Sequence, residues 1–326
     1  MILDIARHKF YEGIATLLLT TLTLIVFVAA GVGVGATQTT DYSPFMSLMS
    51  NATFGISFIE KSLVVVLYIF SVLTLSRSTL RTHIYPTDTM AAMALCAVMM
   101  LPMVVGEHAL HEAVITLFMS MALGNMFFCV GARRSPNRLF AAMLSAGLLA
   151  TVEASLVVVP IAMGIALIAS RKRFREALII IVGILLPLFT CFYLAWLSGE
   201  SFGASALAWW RSAVAPITHY FIDSMSIPRF CFLAYAFFLL VVSSIMHNAQ
   251  SDTNTATARG AWRALHLIFV VVALALLFMP SASDSLLTVA VIISAAMLPA
   301  FFVCSNAVLS AIAYVALFAL AIAAAF

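Results

Sequence analysis

The stretch Leu267–Phe278 reads LIFVVVALALLF, and the stretch Phe230–Val242 reads FCFLAYAFFLLVV. Neither shows the alternation of polar and apolar residues that a membrane-spanning β-strand needs over about ten residues. Apolar runs elsewhere in the chain reach roughly 17–25 residues, the length of a helix that crosses a hydrocarbon core about 30 Å thick. Because backbone polar groups in lipid must be paired within the protein, we predict that these runs form transmembrane helices.

The composition excludes a soluble globular protein. Of the 326 residues, 64% are hydrophobic and 9% are charged, and the mean hydropathy is +1.14. A soluble domain has about 25% charged residues, and a globule with so few could not build a polar exterior. We therefore expect an all-α, polytopic integral membrane protein with a single transmembrane domain that covers residues 1–326.

We predict eleven transmembrane helices, within a range of ten to twelve. Their predicted limits are 14–36, 54–76, 88–106, 112–132, 139–152, 154–170, 176–197, 230–247, 264–280, 286–303 and 308–326. The fifth and sixth could instead form one bent helix. Residues 198–229 form the largest outer loop, in which 203–216 is predicted to be an interfacial amphipathic helix, because Trp209 and Trp210 favour the headgroup level. Residues 248–263 are predicted to be a flexible cytoplasmic loop.

The basic residues predict the orientation of the chain. With the N-terminus in the cytoplasm, 13 of the 16 Lys and Arg residues fall on the cytoplasmic side, and Lys61, Arg211 and Arg229 fall outside. This bias follows the positive-inside rule. Region 139–170 has basic residues on both flanks, so we expect it to cross the membrane an even number of times, as a short helical hairpin. Its turn near Thr151-Val152-Glu153 should face protein or a watery cavity.

Other classes of partner and site are not indicated. The net charge of +3 lies in short loops rather than in a basic stripe, so we expect no nucleic-acid partner. The five cysteines lie in apolar runs without metal-ligand spacing. The first apolar run, Gly13–Ala36, is too long for the core of a signal peptide, and we expect it to be retained. We expect the lipid bilayer as a partner, and a bacterial inner (cytoplasmic) membrane as the location.

The turn Glu107–Glu112 reads EHALHE and is the first candidate site. On a helix, His108, His111 and Glu112 share one face. Two imidazoles and a carboxylate in that arrangement could bind a metal such as zinc or relay protons. We favour the alternative that a short outer loop is polar because it meets water, with an acidic residue at the start of the next helix.

Two further acidic residues have both a functional and a structural interpretation. Glu60 lies just inside the second span, next to Lys61. Ionisable residues within a membrane tend to face partners or cavities, but both side chains could also extend to the interface. Asp284, in the sequence Ser-Ala-Ser-Asp-Ser, is predicted to be a turn or helix-cap residue.

Glu153 occupies the tip of the predicted hairpin. Because of its depth, we expect it to line an outward cavity or to pair with Arg211 or Arg229. The alternative is a carboxylate that is hydrated at the hairpin tip.

Residues 138–190 run from a basic loop through a helix rich in small residues to a polar turn and an apolar helix with Pro160. The basic cluster Arg171–Glu176 follows, and then an apolar helix with Gly183 and Pro187. This pattern resembles the central hairpin of GT-C-type polytopic glycosyltransferases, which take sugars from polyprenyl-phosphate carriers. It is also similar to uncharacterised bacterial inner-membrane proteins of about this length.

The resemblance implies a set of site residues. Asp41, in the first outer loop, would be the catalytic base, and a divalent cation would screen the phosphate of the lipid carrier. Glu153 would line the site, and Arg211 or Arg229 would bind the lipid phosphate. Apart from such a cation, we expect no cofactor.

Three functions are open at this point. The first is a non-catalytic multi-span membrane subunit of a bacterial cell-envelope or secretion complex, because no complete catalytic set is visible and small-residue helices such as Val308–Phe326 favour close helix contacts. The alternative is a GT-C-like glycosyltransferase that uses a polyprenyl-phosphate-linked donor. The second alternative is a transporter or lipid flippase, in which kinked helices and the carboxylates Glu60 and Glu153 would suit coupling to protons.

Overall fold

The structure is a computed structural model. It describes residues 11–29, 45, 57–85, 89–105, 108–131, 135–171, 174–199, 201–215, 225–249, 255–279 and 281–325. These described residues are nearly all helical and contain no β-strand. The all-α prediction is confirmed.

The described residues form thirteen α-helices and one 3₁₀ turn. They are α1 Tyr11–Ala29, α2 Ser57–Thr82, α3 Ala91–Val104, α4 Ala109–Gly131, α5 Pro136–Val152, a 3₁₀ turn Ala154–Val157, α6 Val158–Arg171, α7 Phe174–Leu197, α8 Phe202–Val214, α9 Ile227–Ala249, α10 Ala256–Phe278, α11 Asp284–Met297, α12 Pro299–Cys304 and α13 Ala307–Ala325.

Within the described part of the chain, seven helical segments are long and apolar enough to cross a membrane. They are Phe58–Thr82, Ala109–Val130, Phe174–Leu197, Ile227–Ala249, Ala256–Phe278, Asp284–Cys304 and Ala307–Ala325. Three shorter apolar helices are Gly13–Ala29, Ala91–Val104 and Ala154–Ala169. Length and composition therefore support a multi-pass membrane protein, and the count of eleven spans stays a prediction.

Two helices form the centre of the bundle. Every residue of α3 is buried, and 94% of the span Asp284–Cys304 is buried inside the protein, compared with 28% for the last helix. The two central helices touch directly, since the Cys96 thiol donates to the carbonyl of Ala295 at 3.9 Å. The other helices surround this pair, so polar groups on the central helices lie inside the protein rather than against lipid.

The hydrogen-bond ladder of the central helix Asp284–Cys304 has a break at Leu298–Pro299, between α11 and α12, although Leu298 keeps helical dihedral angles (φ −57°, ψ −36°). The break arises because Pro299 has no N–H to donate to the carbonyl of Ala295, four residues earlier. The helix continues through it as one apolar span, in agreement with the predicted span 286–303. Side chains from neighbouring elements donate to the carbonyls at the break. The donors are Cys96 to Ala295, Tyr85 to Ala296 at 2.6 Å and Ser243 to Met297 at 2.8 Å.

Tyr85→Phe is expected to lower the free energy of unfolding by about 1–3 kcal/mol, because it leaves the buried carbonyl of Ala296 without its hydroxyl donor. Tyr193→Phe is the matched control, since Tyr193 is 44% exposed. Thermal unfolding of both variants in the same detergent checks this. Equal melting temperatures for the two variants would show that the hydroxyl of Tyr85 does not support the break.

The region 139–170 forms a hairpin rather than one bent helix. Glu153 has an extended backbone (φ −147°, ψ 131°) that ends α5, and a 3₁₀ turn leads into α6. A Cβ built on Gly164 of α6 would lie 3.8 Å from Met143 of α5 and 3.2 Å from Ile180 of α7. In a continuous helix, residues 143 and 164 would be about 30 Å apart at 1.5 Å per residue, so the chain must reverse near the predicted turn.

The helix α10 begins at Ala256, which corrects the predicted flexible loop 248–263 at both of its ends, because α9 also continues to Ala249. The hydroxyl of Thr255 accepts a hydrogen bond from the backbone N–H of Ala258. This cap satisfies one of the free N–H groups at the helix start. Because residues 250–259 are mostly polar, the sequence predicted a loop there rather than a helix start.

Candidate functional site

The N-terminus of the central helix α11 brings three other elements together. Its residues 283–285 are consecutive, and each side chain contacts a different part of the fold. The contacts are Ser283 Oγ to Ser155 Oγ at 3.1 Å, Arg229 Nη1 to Asp284 Oδ2 at 3.6 Å, and Ser285 Oγ to Glu112 Oε1 at 2.9 Å. We call this end of the bundle the polar end. It includes the start of α4, the end of α5, the start of α9 and the start of α11.

A buried ion pair lies within the polar end. His111 Nε2 is 3.0 Å from Glu153 Oε2, and the two side chains are only 10% and 12% exposed. The hydroxyl of Ser155 donates to the other oxygen of Glu153 at 2.5 Å. Glu153 therefore pairs with His111, and Arg229 pairs with Asp284, which corrects the expectation that an arginine would be the partner of Glu153.

Glu153 lies in the link after α5, outside the apolar helices. Its burial alone would raise the pKa of the carboxyl group, but the hydrogen bond and charge of His111 together with the serine hydroxyls outweigh that effect and hold the pKa at about 2. The carboxylate is therefore ionised at neutral pH, as an ion pair with His111 requires.

Glu112 is the second buried acid of the polar end. It is 8% exposed, and its Oε1 accepts the hydrogen bond from Ser285. Its Oε2 is buried and has no hydrogen-bond partner among the described residues. The start of α11 provides a positive dipole end beside the carboxylate. One oxygen is thus held in place, while the other is available to a proton or a ligand.

Comparison with protein-family models, with curated proteins and with solved structures finds no match. The likeness of residues 138–190 to GT-C-type glycosyltransferases therefore stays an expectation from sequence.

The predicted metal ligands separate in the structure. His108 is exposed, whereas His111 and Glu112 are buried. His111 binds Glu153 through Nε2. Among the described residues, no group of three or more His, Cys, Asp or Glu side chains is arranged to hold a metal ion.

The other predicted site residues lie apart from this cluster. Glu60 and Lys61 are half-buried in the first turns of α2. Arg211 is exposed on α8, a helix that is attached to the hairpin because Trp209 Nε1 donates to the carbonyl of Ala150 at 2.7 Å. Asp41 lies outside the described residues.

Sequence analysis missed the role of Ser283–Ser285 and assigned Asp284 to a turn or cap. Asp284 is the first residue of α11, and its carboxylate contacts Arg229 rather than the backbone. The hydroxyl of Ser283, at the N-cap position, makes no cap hydrogen bond and instead contacts Ser155. The sequence does contain a signal of these contacts, because the three polar residues Ser283–Ser285 stand immediately before the apolar run of the central helix.

A second cluster of polar rings lies away from the polar end. His247 of α9 stacks on Trp262 of α10 with ring centroids 3.9 Å apart. His266 lies one turn further along α10, where its Nδ1 is 2.8 Å from the carbonyl of Trp262. Gly260 of the same helix approaches Val130 at the end of α4, which places this cluster at the end of the bundle opposite to Glu112. Sequence analysis did not identify it.

Proposed function

We propose that this chain is a multi-pass membrane transporter that moves a solute or a lipid. The observation that carries the proposal is the central helix, which is buried along its length, begins in the polar end and has a proline break in its hydrogen-bond ladder at Leu298–Pro299. Transporters bind substrates and coupling ions in the interior of the protein, at membrane helices whose hydrogen bonding is interrupted. Ionisable residues within a membrane domain are costly and generally functional.

The arrangement of polar groups supports the same proposal. Glu112, Glu153 and His111 lie at one end of the central bundle, and His247 and Trp262 lie at the other. A route between the two ends would pass the break, where three side chains donate to the carbonyls of Ala295, Ala296 and Met297. A helix can bend where proline removes a hydrogen bond, and alternating access needs a bend of this kind.

The topology is part of the proposal. We place the N-terminus in the cytoplasm and the polar end on the outer side, with eleven spans in a bacterial inner membrane. The distribution of basic residues supports this orientation. The hairpin of α5 and α6 also fits, because it returns the chain to the side from which it came.

The other two functions stay predictions. The small-residue face of the last helix was an argument for a subunit, but α13 packs within the chain, where Tyr314 donates to Thr16 at 2.9 Å and the carbonyl of Ala313 accepts from Tyr235 at 3.3 Å. The transferase depends on Asp41. Native mass spectrometry separates these two functions, since a subunit should carry protein partners at fixed stoichiometry and a transferase should carry a polyprenyl-phosphate-sized lipid.

A test that needs no known substrate is the access of water to Ser243, which is fully buried and donates to the carbonyl of Met297 at the break. In a variant whose five cysteines are replaced, we expect Ser243→Cys to react slowly with a membrane-impermeant thiol reagent in both right-side-out and inside-out vesicles. The reason is that alternating access exposes the interior of the bundle in turn to each side.

Two positions serve as controls for this labelling. Ser120→Cys, fully buried in α4, should remain unreactive, and Ser201→Cys, exposed before α8, should react quickly from one side only. Labelling of Ser243→Cys from one side only would mean a fixed crevice. Absence of labelling from either side would mean a static structure, and both results contradict the transporter.

A further inference from the structure

The charges of the polar end do not cancel. Protonated His111 compensates ionised Glu153, with which it is in contact. Arg229 compensates Asp284 in the same way. Glu112 is left without a cation among the described residues of this cluster, and its hydrogen-bond donor, Ser285, is neutral. The cluster therefore has one net negative charge when Glu112 is ionised and none when Glu112 holds a proton.

We infer that Glu112 is the proton-binding residue of this protein, and that the His111–Glu153 pair is a fixed ion pair that positions it. The exchange is simple: water delivers a proton to Glu112 Oε2, the carboxylate becomes a carboxylic acid, and the reverse step returns the proton. Oε2 is the oxygen of Glu112 that has no hydrogen-bond partner among the described residues. The inference differs from the expectation that Glu60 and Glu153 would couple transport to protons.

Among the described residues, few other groups near Glu112 could replace it. His111 lies on its own helix, and the exposed His108 directly precedes that helix. From the hairpin comes Glu153, and from α11 comes Asp284, which already has Arg229. On α2, Ser71 is level with Thr116, so Glu60 and Lys61 lie about 10 Å beyond the level of Glu112 at 1.5 Å per residue. The ionisable groups of α5 and α10, Arg138, Arg259, Arg263 and His266, lie toward the other end.

A proton fits this site better than a metal cation does. A metal cation needs several oxygen or nitrogen ligands, and no suitable group of acidic, His or Cys side chains occurs among the described residues. A proton requires only one carboxylate oxygen. Burial of the neutral cluster also costs less than burial of an unmatched charge.

Proton binding can be tested separately from transport. Coupling of the proton to transport rests on the proposed function, whereas proton binding to Glu112 does not. Infrared difference spectra of the full-length protein in lipid, recorded between alkaline and acidic pH, report the carbonyl stretch of each carboxylic acid that forms. We expect Glu112→Gln to lose one such band and to take up one proton fewer per chain than the wild type.

Two variants control this measurement. Glu112→Asp retains a carboxyl group and should keep a shifted band, which also shows that the site tolerates substitution. Glu60→Gln should keep the band of Glu112. If Glu112→Gln, folded and monodisperse, retains every carboxyl band of the wild type, the inference is overturned. A band that is present in a protein without transport activity would support the inference and remove the proposed function.

Discussion

Replacing His111 by leucine is expected to lower the free energy of unfolding by about 3–5 kcal/mol. Glu153 would then remain in the polar end without its cation, at a side-chain exposure of 12%. The hydroxyl of Ser155 still donates to the carboxylate, but one neutral hydrogen bond does not compensate a buried charge. Glu153→Leu alone should be similarly harmful, since it leaves the charge of His111 unpaired.

The double variant His111→Leu/Glu153→Leu is expected to be more stable than either single variant. Replacing both members of a buried ion pair by apolar groups is often neutral, whereas removing one member is not. Chemical denaturation of all four proteins in the same mixed micelles gives the coupling energy of the pair. If the losses of unfolding free energy of the two single variants add up in the double variant, the side chains of His111 and Glu153 do not interact. That result would contradict the contact between them in the polar end.

Alanine at Gly147 or Gly183 is expected to lower the free energy of unfolding by about 1–3 kcal/mol at each position. The two glycines lie where α5 crosses α7. A Cβ on Gly147 would be 2.8 Å from the carbonyl oxygen of Ile184, and a Cβ on Gly183 would be 2.7 Å from Met143 Cβ. Both obstacles lie on or next to the backbone, so the helices themselves must move apart.

Gly203→Ala is the matched control for this crossing. A Cβ there meets nothing within 4 Å, and alanine is favoured over glycine in a helix by roughly 0.5–1 kcal/mol. We therefore expect a melting temperature equal to or above that of the wild type for Gly203→Ala, and a lower one for the other two variants. Unchanged melting temperatures for Gly147→Ala and Gly183→Ala would show that α5 and α7 are further apart.

The positions of the long helices could be predicted from the sequence because an apolar run must be helical in lipid. The predicted spans 176–197 and 308–326 agree with α7 and α13 to within two residues at each described end. The hairpin turn at Glu153 was predicted because basic residues flank it on both sides. The sequence predicts that Pro299 can kink its helix, but it does not show which side chains donate to the carbonyls that the proline frees.

The composition of the polar end could not be predicted in the same way. Its contacts join residues that are distant in the chain: Glu112 meets Ser285, 173 positions later, and Ser155 meets Ser283, 128 positions later. A single sequence provides local periodicity but no information on which helix ends meet. Glu112 and His111 were therefore recognised as polar residues near a helix start, and their partners were not.

The most direct test of the transporter is flux through the purified chain alone in liposomes. Headgroup-labelled fluorescent phospholipid and dithionite report lipid movement, and currents on a solid-supported membrane report movement of amino acids, sugars, nucleosides and organic acids. We expect one of these classes of substrate to move, and we expect a proton gradient to drive its movement in the wild type. The Glu112→Gln variant should still exchange that substrate across the membrane, but a proton gradient should not drive the exchange. Lipid and solute movement equal to that of protein-free liposomes, from a monodisperse wild-type protein, would contradict the proposed function.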